Sequence, residues 1–519
     1  MGSVWTFVLL WGVWLITPVL IDGVDTLVRL IVVLSHKPSL QLRRLSGIQR
    51  LPMISVIVPA YNEAAVIDRC LESIKSQDYP HDRLEIIVVD DGSTDGTPEI
   101  VEEHIAVCLA GFESRDDIEP GVCTRNIRLG RFGGVLTLIR NDHGGKAHAL
   151  NVGIAMCQGD IVLNIDSDVT LAPEAIRAVA EAFRRDPSMG AATGNIEVDW
   201  DMVEARDENG HVLVDEEGRV IARRLNWFEL FLARCQYLEY LASFRLGRQA
   251  QAYTNTMFTL AGACSAFRRE VLPPNPYSRR TVSEDTDLTL HLHTDLVRIG
   301  FIPGCKVFLE PVVDWDGMYA QRVRWTRGQL EVCGVHDRLI GSHEHGLLGR
   351  IALRQILLFD HTFAFPRLVW MPLLLLFPIL GYRPSMLVAA LGAMYVFYVA
   401  MEIVTALSCY SISDDPTKRR LEQSSWAILA MPLYRFIVFH FRFSGFLVTL
   451  KEEQSWSVQG PMAQQRESLS SLRLRSLELA TMLLRILSPL VALTRSAWIL
   501  IMPALAAMAA YFSSPRKGA

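Results

Sequence analysis

Short apolar runs alternate with longer amphipathic segments in the first half of the chain, and this alternation predicts the secondary structure. The runs lie at 54–58, 84–89, 135–139, 160–168 and 191–198. Each run has the length and composition of a buried strand, and the segments between them carry apolar residues at helical spacing. A strand, a polar or glycine-rich turn and a helix, repeated in this order, are typical of an α/β fold with a parallel sheet. Ligands of such folds bind at the carboxyl ends of the strands.

Other segments of the same region depart from this alternation. Residues 111–135 are predicted to be a polar loop, and residues 199–225 a charged insertion that contains an exposed hairpin. An aromatic helix is predicted at 226–245, and the acidic stretch at 283–287 begins a further helix. Carboxylates at a helix N-terminus are favoured by the helix dipole, so at least one of them is expected to be only a cap.

Long apolar runs near both ends of the chain predict membrane-spanning helices. Residues 4–21 are 18 uncharged positions with tryptophans, which is long enough to cross a bilayer. A signal peptide is the alternative, but no charged segment precedes the run and no clear small-residue cleavage site follows it. Residues 352–381 and 385–409 are also long enough to span, and 478–512 hold a last hydrophobic stretch.

The segment at 426–450 is ambiguous, because it is apolar but carries Arg435, His440 and Arg442. Hydropathy does not decide between a span and an amphipathic helix that lies in the membrane interface. A basic segment, His36-Lys37-Pro38 to Arg43-Arg44 and Arg50, follows the first apolar run, and by the positive-inside tendency it places the α/β region in the cytoplasm.

The predicted organisation is a cytoplasmic α/β domain inserted between the transmembrane helices of a multi-pass protein of the inner (plasma) membrane. Its parts are an N-terminal transmembrane helix at 1–35, the α/β domain at 50–335, an interfacial segment at 336–350, transmembrane and interfacial helices at 351–450, and an amphipathic helix with a C-terminal transmembrane segment at 451–519. A hydrophobic share of 50% agrees with a chain that lies partly in lipid.

Net charge and cysteine content exclude two classes of protein. A net charge of -5 and a pI near 6.2 show no basic bias, so nucleic acid is not an expected partner. The nine cysteines are scattered, odd in number and never in a C-x-x-C pair. We therefore expect reduced thiols in the core of a cytosol-facing domain, and neither a disulfide framework nor a zinc site.

Two carboxylates at the end of the 160–168 run are the first candidate site. Asp166 and Asp168 are two positions apart, so in an extended strand they share a face and both can meet one divalent cation. Mg²⁺ and Mn²⁺ prefer such oxygen ligands, completed by water and substrate phosphates. The alternative is a polar turn that caps the next helix before Pro173.

Two more polar strand ends and a later acidic cluster strengthen this interpretation. Asp90-Asp91-Gly-Ser follows an upstream strand, although a plain turn and helix cap would have the same sequence. Two glycines before Lys146 allow close approach to a ligand, and the lysine is suited to a phosphate, although a solvated lysine is the alternative. Ser283-Glu284-Asp285 is the third cluster, and three acidic clusters in one domain predict a shared cation or proton.

Taken in order, these stretches resemble the motifs of the processive family 2 glycosyltransferases, membrane enzymes with a Rossmann-like GT-A domain that make β-linked polysaccharides. The matching stretches are Pro59-Ala-Tyr-Asn-Glu63, Asp90-Asp91-Gly-Ser, Gly145-Lys146, Asp166-Ser-Asp168, Ser283-Glu284-Asp285 and Gln321-x-x-Arg324-Trp325. The resemblance covers about 50–335 and the flanking spans. The segments 262–269 and 321–328 are most similar to bacterial poly-N-acetylglucosamine synthases, and hyaluronan, chitin and cellulose synthases are more distant.

The resemblance implies a UDP-sugar donor, a growing polysaccharide acceptor, and Mg²⁺ or Mn²⁺. The residues implied for donor binding are Pro59, Tyr61, Glu63, Asp90, Asp91, Lys146 and Asp166. The residues implied for the acceptor, the product and the diphosphate are Gly262, Gln321, Arg324 and Trp325. Asp166 and Asp168 would bind the metal, and Lys146 and Arg324 would help it to neutralise the leaving diphosphate.

The resemblance also implies an inverting reaction. Asp285 would be the general base that deprotonates the acceptor hydroxyl, and Glu284 or Asp287 would adjust its pKa. The first expected donor is UDP-N-acetylglucosamine and the second UDP-glucose. A partner subunit, for example a small accessory membrane protein, would be needed for control by cyclic di-GMP, because no soluble C-terminal domain with that motif is present. Ser283 stands where threonine is commoner in the family.

Two alternatives to a processive polymerase that exports its product remain at this stage. A non-processive transferase that adds one sugar to a lipid would share the three acidic clusters, but it has less use for Gln321, Arg324 and Trp325. A catalytically silent membrane scaffold is the other alternative. The complete set of acidic residues argues against it.

Overall fold

A computed structural model of the chain describes residues 23–36, 51–107, 124–131, 134–203, 223–357 and 383–449, together with positions 205, 213, 221, 378, 379 and 381. The predicted first span at 4–21, most of the predicted hairpin, most of the predicted span at 352–381 and everything after 449 lie outside these residues. The described residues form one mixed sheet with helices packed on both faces.

Nine strands make up the described sheet. They are β1 (Ile54–Ala60), β2 (Leu84–Asp90), β3 (Thr124–Arg131), β4 (Val135–Asn141), β5 (Ile161–Ile165), β6 (Thr170–Leu171), β7 (Met189–Val198), β8 (Cys264–Arg268) and β9 (Arg298–Leu309). Their order across the sheet is β3-β4-β2-β1-β5-β8-β7-β9-β6.

The predicted parallel arrangement is found in four neighbouring strands, β4, β2, β1 and β5. In β1, Ile54, Val56 and Val58 pack into the core on one face of the sheet, whereas Ile57 packs into the core on the other face. Burial on both faces explains why these strands are continuous apolar runs in the sequence. Because the strands are parallel, their carboxyl ends lie at one edge of the sheet.

The rest of the sheet is mixed, which the sequence pattern did not predict. β8 is antiparallel to both β5 and β7, β9 is parallel to β7, and β6 is antiparallel to β9. The prediction of a polar loop at 111–135 was wrong for 124–131, because these residues form the edge strand β3, antiparallel to β4. Charged residues are common on edge strands, where one side of the backbone is unpaired, and they obscured the strand in the sequence.

Twelve α-helices of six or more residues accompany the strands in the described part of the chain. They are α1 (Val24–Ser35), α2 (Ile67–Lys75), α3 (Thr97–Val107), α4 (Lys146–Met156), α5 (Ala175–Arg185), α6 (Trp227–Leu241), α7 (Gln249–Thr254), α8 (Glu284–Thr294), α9 (Trp315–Val335), α10 (Pro384–Ile412), α11 (Asp415–Ser424) and α12 (Met431–Thr449). A wider helical turn at Ala242–Arg248 joins α6 to α7, so the predicted helix at 226–245 is confirmed.

Two helical stretches of the described residues are long and apolar enough to cross a membrane. Pro384–Ile412 has a mean hydropathy of 2.0, and Asp415–Thr449 has a mean hydropathy of 1.2. Apolar side chains of α10 such as Val388 and Val396 are exposed, which is not the pattern of a core helix in a soluble protein. The criteria are length and composition, so the crossing of a bilayer stays a prediction.

Polar contacts join the start of α11 to the α/β domain. The Lys306 ammonium on β9 lies 2.6 Å from an Asp414 carboxylate oxygen and 2.8 Å from the Thr417 hydroxyl. Thr417 in turn donates a hydrogen bond of 3.1 Å to Glu197 on β7. The C-terminal helices are therefore held against the strands β7 and β9.

Candidate active site

Four polar segments follow four neighbouring strands at the same edge of the sheet. Residues 61–63 follow β1, Asp91 follows β2, residues 143–146 follow β4, and residues 166–168 follow β5. Pro59 and Asp90 lie at the ends of β1 and β2 themselves. The strand order β4-β2-β1-β5 thus brings together side chains that are up to about a hundred residues apart in the sequence.

Asp91 is a buried carboxylate that fixes the glycine-rich segment after β4. Its two oxygens accept backbone hydrogen bonds from Gly144 at 2.9 Å and from Gly145 at 2.7 Å. His143 Nδ1 lies 2.9 Å from one of the same oxygens. Gly145 has a φ of +86°, a conformation that other residues rarely adopt, so this turn requires glycine. The structure therefore gives Asp91 a role in shaping the loop that precedes Lys146.

The turn after β1 is held by the segment after β2. The Asn62 backbone N–H donates to the Ser93 hydroxyl at 2.9 Å, and the Thr94 backbone N–H donates to the Asn62 side chain at 2.9 Å. The exposed ring of Tyr61 lies 4.3 Å from the ring of His143, measured between centroids. A ring from the segment after β1 thus meets a ring from the segment after β4, and His143 also contacts the buried Asp91, which follows the intervening strand β2.

Lys146 connects the strand-end carboxylates to the third acidic cluster. It is the first residue of α4, and its ammonium lies 2.5 Å from Asp166 Oδ1 and 3.8 Å from Glu284 Oε1. The attraction of Asp166 and Glu284 outweighs burial and raises the pKa of Lys146, so the ammonium stays charged. This lysine brings a fixed positive charge to the centre of an acidic site.

Asp166 and Asp168 lie just beyond the end of β5, in the turn that leads to β6. The Asp168 side chain is exposed, but the protein packed around it and the charge of Asp166 raise its pKa to about 6. Burial and the charges of Asp168 and Asp166 raise the pKa of Glu63 to about 7. Lys146 therefore compensates only part of the negative charge at this edge.

Asp285 lies in the first turn of α8 and is held by backbone donors. The Gly262 N–H donates to its Oδ2 at 3.1 Å, and the Thr286 N–H donates to its Oδ1 at 2.6 Å. A Cβ at position 262 would lie 3.3 Å from both Asp285 Oδ2 and Lys146 Nζ, so only a very small residue leaves this space open. Burial raises the pKa of Asp285.

Glu284 and Asp287 have different environments although they share one helix turn. Burial raises the pKa of Glu284 to about 7, and the charge of Asp285 adds to this increase while Lys146 opposes it. Asp287 accepts a hydrogen bond of 2.8 Å from Arg280 Nε, and its other oxygen lies 2.6 Å from His336 Nε2. These partners outweigh burial and lower the pKa of Asp287, which makes it a structural anchor for the start of α8.

The 321–325 motif lies on α9, which packs against the Ser283 turn. A Cβ at Gly328 would collide with the Ser283 side chain, so the two segments are in close contact. Trp325 is half-buried and Arg324 is exposed. The Gln321 side-chain oxygen is buried, and it has no hydrogen-bond partner among the residues that the structure describes.

The structure thus brings Lys146, Asp166, Glu284 and Asp285 together, and it places Gly262 against them. The roles of the other predicted site residues stay predictions. Sequence analysis did not identify His143 as a neighbour of Tyr61 and Asp91, and its position directly before the glycine pair was the available signal. It also gave no role to three residues near Trp325, which are the buried Arg322 and Tyr434 and the partly buried Glu239.

The raised pKa of Glu284 predicts a pH dependence of stability. An acid with a raised pKa binds its proton more tightly in the folded state than in the unfolded state. Its contribution to stability is therefore complete below the ordinary value of 4.5 and is lost as the pH rises to about 7. The melting temperature of the metal-free wild-type protein should fall between about pH 5 and about pH 8. We expect a smaller fall in Glu284→Gln.

The control for this experiment is Asp295→Asn, at the exposed C-terminal end of the same helix. This variant should keep the wild-type dependence of melting temperature on pH. An unchanged dependence in Glu284→Gln would contradict the prediction.

Comparison with known proteins finds a family model that matches the part of the chain containing most of these residues. Residues 55–273 match the family model described as Glycosyl transferase family 2. The chain is 27% identical over 287 residues to the "Probable glycosyltransferase YdaM" of Bacillus subtilis, with 55% of this chain and 57% of that protein aligned. It is 25% identical over 285 residues to a poly-beta-1,6-N-acetyl-D-glucosamine synthase of Staphylococcus epidermidis, with 55% and 56% aligned. The match thus spans little more than half the length of these relatives.

Solved structures give a looser likeness. A mannosyltransferase of Pyrobaculum calidifontis in complex with GDP-Man and Mn²⁺ has a TM-score of 0.47 and 19% identity, covering 78% of this chain and 89% of that one. Residues 1–349 of Staphylococcus aureus TarS in complex with UDP-GlcNAc have a TM-score of 0.35 and 14% identity, covering 79% and 98%. Both scores lie below the level expected for closely superimposable folds.

Proposed function

We propose that the chain, whose residues 55–273 match the glycosyl transferase family 2 model, is a processive, inverting glycosyltransferase. It polymerises a UDP-sugar into a β-linked exopolysaccharide and exports the product across the membrane. The named relatives favour UDP-N-acetylglucosamine as the donor, with UDP-glucose second. The observation that carries the proposal is the contact of Lys146 with both Asp166 and Glu284, next to Asp285.

The donor is proposed to bind at the edge formed by the carboxyl ends of β1, β2, β4 and β5. Tyr61 provides an exposed flat ring for the nucleobase, and Glu63 a carboxyl group for the ribose. The buried Asp91 sets the position of the loop that carries Lys146, whose ammonium is suited to the diphosphate. Positive charge at this point stabilises the negative charge that develops on the leaving UDP.

A divalent cation fits this site by its donor set. Asp166 and Asp168 offer oxygen ligands at an edge where negative charge raises the pKa of Asp168. Mg²⁺ is usually held by one or two carboxylates together with substrate phosphates. Such a site needs fewer protein ligands than a cluster of three or more His, Cys, Asp or Glu, and the described residues include no such cluster. The bound ion would supply Lewis-acid stabilisation of the diphosphate leaving group.

Asp285 is proposed to be the general base. Hydrogen bonds from Gly262 and Thr286 fix its carboxylate at the start of α8, and the space over Gly262 gives an acceptor hydroxyl access to it. Asp285 takes the hydroxyl proton while that oxygen attacks the anomeric carbon, opposite the departing UDP. A single displacement inverts the anomeric centre and converts an α-linked donor into a β-linked product.

Processivity and export are proposed from the elements that follow the base. Trp325 offers a flat apolar face for the terminal sugar of the acceptor, close to the Ser283 turn through the packing of α9. The apolar helix α10 and the helical stretch Asp415–Thr449 are proposed to span the membrane beside this site. The catalytic domain then faces the cytoplasm, where UDP-sugars are supplied.

The test is incorporation of radiolabel by the purified enzyme in detergent or vesicles with Mg²⁺ or Mn²⁺. UDP-N-acetylglucosamine and UDP-glucose are supplied separately. We expect high-molecular-weight product from one donor only, because one pocket must match the substituent at the sugar C2 position. Label that appears only in a lipid carrying a single sugar would contradict the polymerase and favour the non-processive alternative.

A further inference from the structure

A buried polar cluster lies behind Trp325 and joins three separate segments of the chain. Arg322 of α9 donates to Glu239 of α6 at 2.7 Å and to the Tyr434 hydroxyl of α12 at 3.3 Å. The Tyr434 hydroxyl donates to the same Glu239 oxygen at 2.7 Å. Arg322 is only 3% exposed and Tyr434 only 2% exposed. Each member of this triad therefore depends on the other two for its hydrogen bonds.

The triad is in direct contact with the motif tryptophan. The Arg322 guanidinium carbon lies 4.5 Å from the centre of the Trp325 ring, within the range of a cation–π interaction. The Tyr240 ring lies 6.3 Å from the same indole, measured between centroids. Glu239 and Tyr434 accept hydrogen bonds from the same guanidinium that lies over the indole. The orientation of Trp325 is thereby linked to both partners.

One of those partners belongs to a helix proposed to span the membrane. Besides Tyr434, α12 contacts α9 at Gly445, where a Cβ would lie 2.9 Å from the Val323 carbonyl oxygen and 2.9 Å from Thr326 Cβ. The two helices thus approach closely at positions 322, 323 and 326, within and just after the motif. A shift of α12 would change the support of Arg322 without any direct contact with the donor site.

We propose that Glu239, Arg322 and Tyr434 are positioning residues that set the Trp325 ring as the platform for the acceptor end of the polymer. Through Tyr434 they couple the position of α12, and hence of the membrane segment, to retention of the growing chain. This inference rests on the proposed function, in which Trp325 contacts the acceptor. It predicts that loss of the triad weakens acceptor binding and shortens the polymer, while donor binding is retained.

The test compares Tyr434→Phe and Glu239→Gln with the wild-type enzyme in one lipid environment. The measured quantities are KM for a short β-linked oligosaccharide acceptor, KM for the UDP-sugar, and the length distribution of the product. We expect the acceptor KM to rise about fivefold, the size of effect when one buried hydrogen bond is lost. The product should be shorter, and the donor KM should stay within about twofold.

Two further variants separate positioning from general stabilisation. Tyr410→Phe is the matched control, because it removes another tyrosine–carboxylate hydrogen bond, of 2.9 Å to Glu422, at an exposed place. It should leave acceptor KM and product length unchanged. Arg322→Lys keeps the positive charge but loses the planar face over Trp325, so it should not restore product length. A triad that only stabilised the fold would lower the melting temperature and leave these two quantities unchanged in the folded enzyme.

The outcomes are distinct. Normal acceptor KM and product length in Tyr434→Phe and Glu239→Gln, or in Arg322→Lys, would overturn the positioning role and leave the polymerase intact. A wild-type enzyme that forms no polymer from any UDP-sugar would overturn the proposed function, and this inference with it.

Discussion

Asp285→Asn is expected to reduce sugar transfer by about 10³-fold, within the range found when a general base is removed. The substitution keeps the size of the side chain but removes the carboxylate proposed to take the proton of the acceptor hydroxyl. The Gly262 and Thr286 N–H groups each donate to a different oxygen of Asp285. The asparagine NH₂ group would therefore face one of these two backbone N–H donors. The rate of label incorporation at saturating donor measures this effect.

Donor binding distinguishes loss of the base from loss of the fold. Lys146 contacts Asp166 and Glu284, so the proposed diphosphate site does not depend on the Asp285 charge for its closest ion pair. The Kd for UDP, measured by calorimetry, should change by no more than about threefold in Asp285→Asn. Asp295→Asn, on the same helix, should transfer sugar normally. An Asp285→Asn enzyme with near wild-type turnover would require a different base.

The parallel half of the fold was predictable because its strands are buried on both faces. β1, β2, β4 and β5 are continuous apolar runs, and each is followed by a polar turn. The edge strand β3 and the long strand β9 were not predicted as strands, because edge positions tolerate charge and β9 has exposed and buried residues in an irregular order. The sequence therefore indicated the half of the sheet that carries the candidate donor-binding segments more clearly than the half that contacts the C-terminal helices.

The sequence predicted that charged residues at strand and helix boundaries would lie close together. It did not predict contacts between residues that are distant in the chain and belong to no motif. Lys146, Asp166 and Asp285 follow strand or helix boundaries, and their chemistry is recognisable in the sequence. The contact between Glu239 and Tyr434 joins residues 195 positions apart. Neither residue lies in a motif, so only the packing of α6, α9 and α12 reveals that they share Arg322 as a partner.

The remaining large effect concerns the carboxylates after β5. Asp168 is the better position to test than Asp166, because Asp166 also holds the Lys146 ammonium, and its replacement would disturb two groups at once. Asp168→Asn keeps the shape of the side chain and removes one negative charge from an edge where such charge raises the pKa of Glu63. The variant should therefore lower the affinity of this edge for a cation without leaving the half-buried Lys146 unpaired.

We expect Asp168→Asn to reduce transfer by about 10²- to 10³-fold at a fixed Mg²⁺ concentration, because several kcal/mol of leaving-group stabilisation depends on the cation. A chelator should abolish wild-type activity, and added Mg²⁺ or Mn²⁺ should restore it. The variant should need a higher metal concentration for half of its maximal rate, and its UDP binding should depend on metal over the same higher concentration range. Asp82→Asn, an exposed carboxylate away from this edge, should behave as the wild type. If Asp168→Asn keeps the wild-type metal requirement, the cation is not held by this residue, and the negative charge at the edge serves only to hold Lys146.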